Sequence, residues 1–327
     1  MAGRRIVYGA ALLAALAFQI FYDGYLAQFL LVCVIALPIL SLLLSLPGLL
    51  SLRLSLSVSG PQLLRGQPGQ WQVSAENAAP FPIARLTLRL RLQNAFTGSA
   101  RQERFRAVGL SGGQSRTFPV DCGHCGVLTC QVTRVKALDF LGLFSFPAGV
   151  PGLAQTVVLP EPAPLEALPE LEHILAQIGA RPGPGQEGED YEVRGYRPGD
   201  PIRSIHWKLS SKYDELVVRE RLKSDRPQVA LSFDLFGPPE RLDQVLARLW
   251  TASLSLIQRE IPHALCWLGP DGQTNAEPVA SQAQLLDCMT RILSRRAPEG
   301  KPQTAWELQD VLGLPRFHIT AGEGDTP

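Results

Sequence analysis

Two long apolar runs open the chain, and a shorter alternating rhythm replaces them after about residue 50. Ile6 to Tyr22 contains one strongly polar residue, Gln19, and after Asp23-Gly24 a second run extends from Tyr25 to Leu46. At a helical rise of about 1.5 Å per residue the second run spans ~33 Å and the first ~25 Å, against a hydrocarbon core of ~30 Å. The second therefore crosses unaided and the first crosses with its flanks. Asp23-Gly24 is a two-residue turn signal, and Tyr22 and Tyr25 stand where interfacial aromatic side chains belong. The pattern predicts a membrane α-hairpin over residues 1–50. Arg4 and Arg5 precede it and Arg53 follows it, whereas the turn carries only Asp23, so both ends and the soluble portion are expected in the cytoplasm of a multi-pass cell-membrane protein. The alternative is a cleaved signal peptide, with Arg4-Arg5 as its basic region and Ala15-Leu16-Ala17 at the cleavage site. Pro38 either kinks the second helix or is absorbed by its neighbours.

From 51 to 160 the pattern shifts to period two. Leu52-Arg53-Leu54-Ser55-Leu56-Ser57-Val58 and Leu86 to Leu92 alternate apolar with polar, the signature of strands with one buried face, and Gly60-Pro61, Pro68-Gly69 and Gly112-Gly113 punctuate them. An all-β, sandwich-like domain is expected. Residues 161–227 read as a linker with a distinctive segment at its end: a Pro- and Glu-rich stretch from Pro160 to Glu170, a helix-like run from Leu171 to Ile178, and a Gly-Pro-rich stretch to Gly185. From 228 to 327 strand and helix alternate: Val229 to Phe233, a helix from Pro239 to Glu260, His263 to Leu268, a helix from Gln282 to Arg295, and a strand from Arg316 to Thr320. That order predicts a small α/β domain.

Charge and cysteine content narrow the function classes. Thirty-one Lys and Arg stand against 30 Asp and Glu, so no global field draws the molecule to nucleic acid, and the basic residues between Arg194 and Arg226 are interleaved with Asp200, Asp214, Glu215, Glu220 and Asp225. Nucleic acid is not expected as a partner. Six scattered cysteines do not form a secreted disulfide framework and fit a reducing compartment.

The segment Glu187 to Glu220 differs from the rest in its density of charges, aromatics and turn residues. Pro198-Gly199 predicts a turn, Asp200 an N-cap and Pro201 a first helical position, after which Ile202, Ile205 and Leu209 would share a helix face. Arg194, Tyr196, Pro198, Gly199, Asp200, Arg203, Ile205, Trp207, Lys208 and Ser210 stand in the register R-x-Y-x-P-G-D-x-x-R-x-I-x-W-K-x-S. This run resembles the signature of the family catalogued as domain of unknown function 58, with Ser211 and Lys212 in place of the usual Ala and Arg. Upstream, Cys125-Gly126-Val127 through Asp139-Phe140-Leu141-Gly142-Leu143-Phe144 is similar to that family's R-G-x-Y…D-x-x-G-L-F stretch, with Cys125 for the arginine and Leu128 for the tyrosine. The resemblance covers essentially the whole chain. It implies a membrane-anchored protein whose α/β domain is a reduced von Willebrand factor A-like domain, working with a MoxR-type AAA+ ATPase and a transglutaminase-like membrane protein in envelope-related or assembly processes.

Candidate sites follow from these residues. A von Willebrand A-type metal site needs an Asp-x-Ser-x-Ser turn, because Mg²⁺ demands oxygen ligands; here the turn reads Asp234-Leu235-Phe236-Gly237-Pro238, so Asp234 is expected to cap the following helix and no metal or other cofactor is expected. Cys122, His124, Cys125 and Cys130 supply half of a zinc pattern without its second pair, and buried or partly exposed free thiols are the preferred reading. His206 has no nucleophile beside it, and His173, His263 and His318 show no ligand spacing. The chain is read as a non-enzymatic interaction protein whose partner-binding surface comprises Arg194, Tyr196, Asp200, Arg203, Trp207 and Lys208. A metal-dependent adhesion-type binder using Asp234 is the runner-up, and an unrecognised hydrolase comes third.

Overall fold

The structure, a computed structural model, describes residues 2–22, 24–164, 168, 171, 191–198, 200, 202–213, 215–221, 228–269, 273–298, 300 and 314–321. The helix-like run expected over Leu171 to Ile178 lies outside them except for Leu171, as does Asp23 of the turn. The chain divides into two compact units, Met1–Leu159 with Thr290–Arg296, and Pro160–Met289 with Ala297–Pro327. The apolar hairpin thus shares a unit with the β domain, and the distinctive segment shares one with the α/β elements.

In the first unit, α1 (Ala2–Phe21) and α2 (Tyr25–Ser51) are both long and apolar enough to cross a membrane. Leu26, Phe29, Ile35, Ile39 and Leu43 of α2 are exposed, and only Ala27, Ser41, Ser45 and Gly48 are buried. Pro38 lies inside α2 and has no N–H to give the Val34 carbonyl four residues earlier. The Tyr8 hydroxyl of α1 donates to that carbonyl at 3.1 Å, so the neighbouring helix fills the vacancy.

The chain passes straight from α2 into β1 (Leu52–Val58), then β2 (Gln62–Leu64), β3 (Gln70–Asn77), β4 (Ile83–Asn94), β5 (Ala100–Leu110), β6 (Gly112–Pro119), β7 (Gly126–Leu138), β8 (Ser145–Phe146) and β9 (Ala154–Leu159). One sheet runs β1-β3-β6 and the other β2-β9-β7-β4-β5, with β8 on β7. The period-two pattern explains the layering: Trp71, Val73 and Phe118 from the first sheet and Leu86, Leu88, Leu90, Phe105 and Val132 from the second meet in one core. Each such side chain contributes about 1.5–3 kcal/mol when fully buried. Gly126 stands at φ +150, where a Cβ would collide with Asn94, whose carbonyl oxygen accepts the Phe96 and Thr97 N–H groups and whose amide donates to Cys125 O.

Two polar junctions fasten α2 to this β domain. Ser51 Oγ donates to Asn77 Oδ1 at 2.9 Å, and the Asn77 amide donates to Phe81 O and Leu110 O. Four helical residues apart on one face, Ser41 and Ser45 meet the turn 139–144: Ser41 Oγ donates to Asp139 Oδ2 at 2.7 Å and accepts the Leu141 N–H, while Ser45 Oγ accepts the Phe140 N–H. Gly48 completes the face, with Ile83 and Phe81 packed where a side chain would stand.

The second unit opens on a hairpin of β10 (Tyr191–Gly195) and β11 (Val217–Arg221), joined through a short helical turn, Ile202–Ser204, and α3 (Trp207–Tyr213). Then come β12 (Val229–Phe233), α4 (Pro239–Gln258), β13 (His263–Leu268), β14 (Thr274–Val279), α5 (Gln282–Leu293) and β15 (Arg316–Ile319). Their sheet order is β14-β13-β12-β15, with β12 parallel to both neighbours and β14 antiparallel at the edge. Leu242, Val245, Leu246, Leu249 and Leu256 supply the buried stripe of α4. The chain therefore forms two N-terminal apolar helices followed by several sheets and a mixed α/β arrangement.

Candidate functional site

The distinctive segment folds as a hairpin whose long connection, between Gly195 and Val217, carries a helix. Ile205 bridges Val218, and His206 N–H donates to Val217 O at 2.8 Å, so these two residues extend the β10–β11 ladder. The helix α3 starts next, with the His206 ring nitrogen Nδ1 accepting the Leu209 N–H at 3.3 Å. Buried Ser210 then locks α3 to β11: its hydroxyl accepts the Val217 N–H at 2.9 Å and donates to His206 O at 3.1 Å.

Asp200 does not cap a helix. The α-helix begins seven residues later, and the Asp200 carboxylate is taken by the Arg194 guanidinium in a two-pronged contact of 2.8 and 3.0 Å and by the Arg197 N–H at 2.9 Å. Those hydrogen bonds, Arg194's first, hold its carboxyl down at about 2. With Asp200 N–H donating to Arg197 O, the turn is closed on both sides. Nor do Ile202, Ile205 and Leu209 share a buried face, because the helical turn at Ile202–Ser204 breaks before α3: Ile202 is 70% exposed while Ile205 is buried.

Arg203, Trp207 and Lys208 are exposed on this frame, Trp207 at 62%. Trp207 therefore fills no core. Tyr196 is half-buried and fixed through its N–H to Leu216 O at 2.8 Å, and Leu216 is itself exposed. Of the six residues singled out in the sequence, Arg194 and Asp200 brace the turn and Arg203, Trp207 and Lys208 face outward. Ser210, noted in the sequence only as part of the signature, and His206, set aside there for want of a nucleophile, are positioning residues; the signal was a small hydroxyl and an N-cap-competent ring on either side of the Trp-Lys pair.

Asp234 follows β12 at the carboxyl ends of the parallel strands, where β13 departs on one side of β12 and β15 on the other, a position at which open α/β sheets present crevices. A cavity of about 150 Å³ opens there, lined by Asp234, Leu235, Phe236, Leu268, Gly269, Pro298 and Gly300. Asp234 does not cap α4, whose N-cap position is Pro238 with no side-chain cap. His318 Nε2 instead lies 3.7 Å from Asp234 Oδ2, and its Nδ1 is 3.0 Å from Ser232 Oγ, which also receives Arg316 Nε at 2.8 Å. His318 carried no spacing signal because it reaches Asp234 only through the parallel register of Ser232 with His318. At the position where a metal site would place a serine, the Phe236 ring packs under the Arg241 guanidinium, 4.7 Å from its centroid. The ring offers no oxygen to a cation.

Cys122, Cys125 and Cys130 are all buried in the first unit, Cys122 and Cys130 within the inter-sheet core. Burial pushes the Cys130 thiol up to about 11, and burial together with the Asp121 carboxylate raises Cys122. Among the described residues no group of three or more His, Cys, Asp and Glu side chains is placed to hold a metal ion.

No family model matches the chain, and no curated protein matches it. Solved structures match parts of it: an alkylpurine DNA glycosylase of Pseudomonas fluorescens (16% identity, 41% of this chain and 40% of that one, TM-score 0.23), the cohesin module of a Clostridium perfringens family 33 glycoside hydrolase (7%, 33% and 96%, TM-score 0.23), and the CARDB domain of a Pyrococcus furiosus protein (13%, 33% and 86%, TM-score 0.22). The chain spans less than half of the glycosylase. Likenesses at this level carry no function across.

Proposed function

We propose that this chain is a membrane-anchored, non-enzymatic interaction or assembly protein whose β10–α3–β11 unit recruits a protein partner through Arg203, Trp207 and Lys208. The observation that carries the reading is the exposure of Trp207 on a helix held at its start by His206 and at its middle by Ser210. A large apolar ring left in water costs free energy that a partner would recover, and an exposed Trp on the same short segment as exposed Arg203 and Lys208 has the composition of an interface hot spot. Arg194 and Asp200 act as positioning residues, and Tyr196 carries the strand into the turn. The resemblance of the signature points to a MoxR-type AAA+ ATPase as partner, with a transglutaminase-like membrane protein in the same process, and to the α/β elements as a reduced von Willebrand factor A-like domain. Both helices cross the cell membrane with their ends and the soluble units in the cytoplasm, as the arginines flanking the hairpin favour.

Purification of the full chain in mild detergent, with identification of what is retained, tests recruitment. Arg203→Ala with Lys208→Ala is expected to lose the retained partner at normal abundance of the chain; full retention by that double variant would overturn the surface. Protease added to intact cells is expected to spare the soluble units until lysis, and their digestion before lysis would reverse the topology.

A second reading, a metal-dependent ligand-binding protein using Asp234, is favoured by the cavity at the carboxyl ends of the parallel strands. Phe236, Pro238 and the Arg241 charge weigh against it.

A further inference from the structure

We infer that the turn 139–144 is a third membrane attachment, seated at the cytoplasmic boundary of the bilayer with Phe140 inserted among the lipids, an inference that rests on the hairpin's spanning the membrane.

Depth along the helices comes first. At about 1.5 Å per residue, Ser41 and Ser45 lie ~24 and ~30 Å along α2 from Tyr25, and Arg5 lies ~24 Å along α1 from Phe21. With the aromatic pair Tyr22 and Tyr25 at one interface, a hydrocarbon core of ~30 Å puts Ser41, Ser45, Arg4 and Arg5 at the opposite margin. All four residues bind the same turn.

The same contacts also serve the turn's own backbone groups. In this turn Asp139 N–H donates to Phe144 O, Phe140 N–H to Ser45 Oγ, Leu141 N–H to Ser41 Oγ, Gly142 N–H to Asp139 O and Phe144 N–H to Asp139 Oδ1. On the acceptor side, Arg4 Nη1 donates to Leu141 O at 3.2 Å and Arg5 Nε to Leu143 O at 2.9 Å. Gly142 at φ +73 leaves room for the Arg4 guanidinium to lie where a Cβ would be. Packed against α2, with Asp139, Gly142 and Leu143 buried, the turn needs these partners in any solvent, and having them leaves it few backbone groups that would oppose a place at the edge of hydrocarbon.

The outward side chains agree with that setting. Asp139 is fully buried, while Phe140 is 57% exposed and Phe144 is exposed beside it, so the turn hides its charge and presents aromatic rings. Continuity with the apolar helices commits this surface to the bilayer as its occupant. The β domain would then be held against the membrane at a fixed depth, with Arg4 and Arg5, bound to the turn's carbonyls, at headgroup level.

The test uses the full chain reconstituted in vesicles of phosphatidylethanolamine and phosphatidylglycerol, with Phe140→p-benzoylphenylalanine and, as a distal control on β5, Gln102→p-benzoylphenylalanine. Illumination is expected to give lipid adducts from position 140 at about tenfold or more the yield from position 102. Equal yields in a chain that resists alkaline carbonate extraction would overturn the attachment while leaving the spanning hairpin intact. A cross-link from 140 to a second copy of the chain in place of lipid would overturn it too. Release of the chain by carbonate would remove the hairpin reading and this inference together.

Discussion

Ser41, in the middle of an apolar helix, donates its hydroxyl to the fully buried carboxylate of Asp139, 98 residues away, at 2.7 Å. The same hydroxyl receives the Leu141 N–H, so one small side chain satisfies an anion and a turn amide at once. A buried carboxylate that loses a donor is expensive, and Ser41→Ala is expected to destabilise the detergent-solubilised chain by about 1–3 kcal/mol. Because the two residues act on one junction, Ser41→Ala and Asp139→Ala should be non-additive by about 0.5–3 kcal/mol in a double-mutant cycle read by thermal unfolding. Strict additivity would show that the contact is incidental.

His263 supplies a pH dependence with a defined sign. It is fully buried beside Ser253, its Nε2 2.6 Å from Ser253 Oγ and its Nδ1 within 3.3 Å of Ile261 O, and burial holds its pKa down to about 4. The unfolded chain binds a proton near pH 6.5 and the folded one only near 4, so stability is full above about 6.5, falls as pH drops between these values and stops falling below. The loss amounts to about 3 kcal/mol. Denaturant unfolding at pH 7, 5.5 and 4.5 should follow this course in the natural chain and flatten in His263→Gln; a slope unchanged by that substitution would assign the dependence elsewhere.

Within the β10–α3–β11 unit, stability and recognition should separate. Ser210→Ala removes the hydroxyl that receives the buried Val217 N–H, and a cost of about 1–3 kcal/mol is expected, with faster hydrogen exchange at Val217. Trp207→Ala, at an exposed position, should change stability by no more than about 0.5 kcal/mol yet abolish partner retention. A large stability loss from Trp207→Ala would return that residue to a packing role.

What was legible in the sequence was periodicity. Val229 to Phe233 and His263 to Leu268 emerge with the bounds their apolar runs suggest, because a strand buried along its whole length is almost entirely apolar, with Ser232 and His263 as the buried polar exceptions. The hairpin and the alternating strands were readable for the same reason. The edge strand Thr274–Val279 was not, since its antiparallel place at the sheet margin tolerates Glu277 and Pro278. Relations between distant residues were the main loss: Ser41 with Asp139 and Ser232 with His318 depend on packing and register, which no local pattern encodes. Asp200 misled because turn-closing and helix-capping carboxylates look alike until an arginine is seen to claim one of them.

A carboxylate at the carboxyl end of a central parallel strand, facing a cavity and next to a histidine, is a place where a divalent cation would be sought. Magnesium, however, requires near-octahedral oxygen, and the two side chains that would follow Asp234 in such a turn are Phe236 and Pro238. The Phe236 carbonyl, which could have served as an oxygen donor, already accepts from Arg241 Nη1 at 3.1 Å, and that guanidinium adds a positive charge beside the ring. A cation arriving there would meet one carboxylate with a histidine beside it. Thermal unfolding of the full chain in detergent is therefore expected to be unchanged by millimolar Mg²⁺, in the natural sequence and in Asp234→Ala alike. A reproducible rise in melting temperature with Mg²⁺ that disappears in Asp234→Ala would establish a metal site and bring forward the ligand-binding reading in place of the interaction surface on α3.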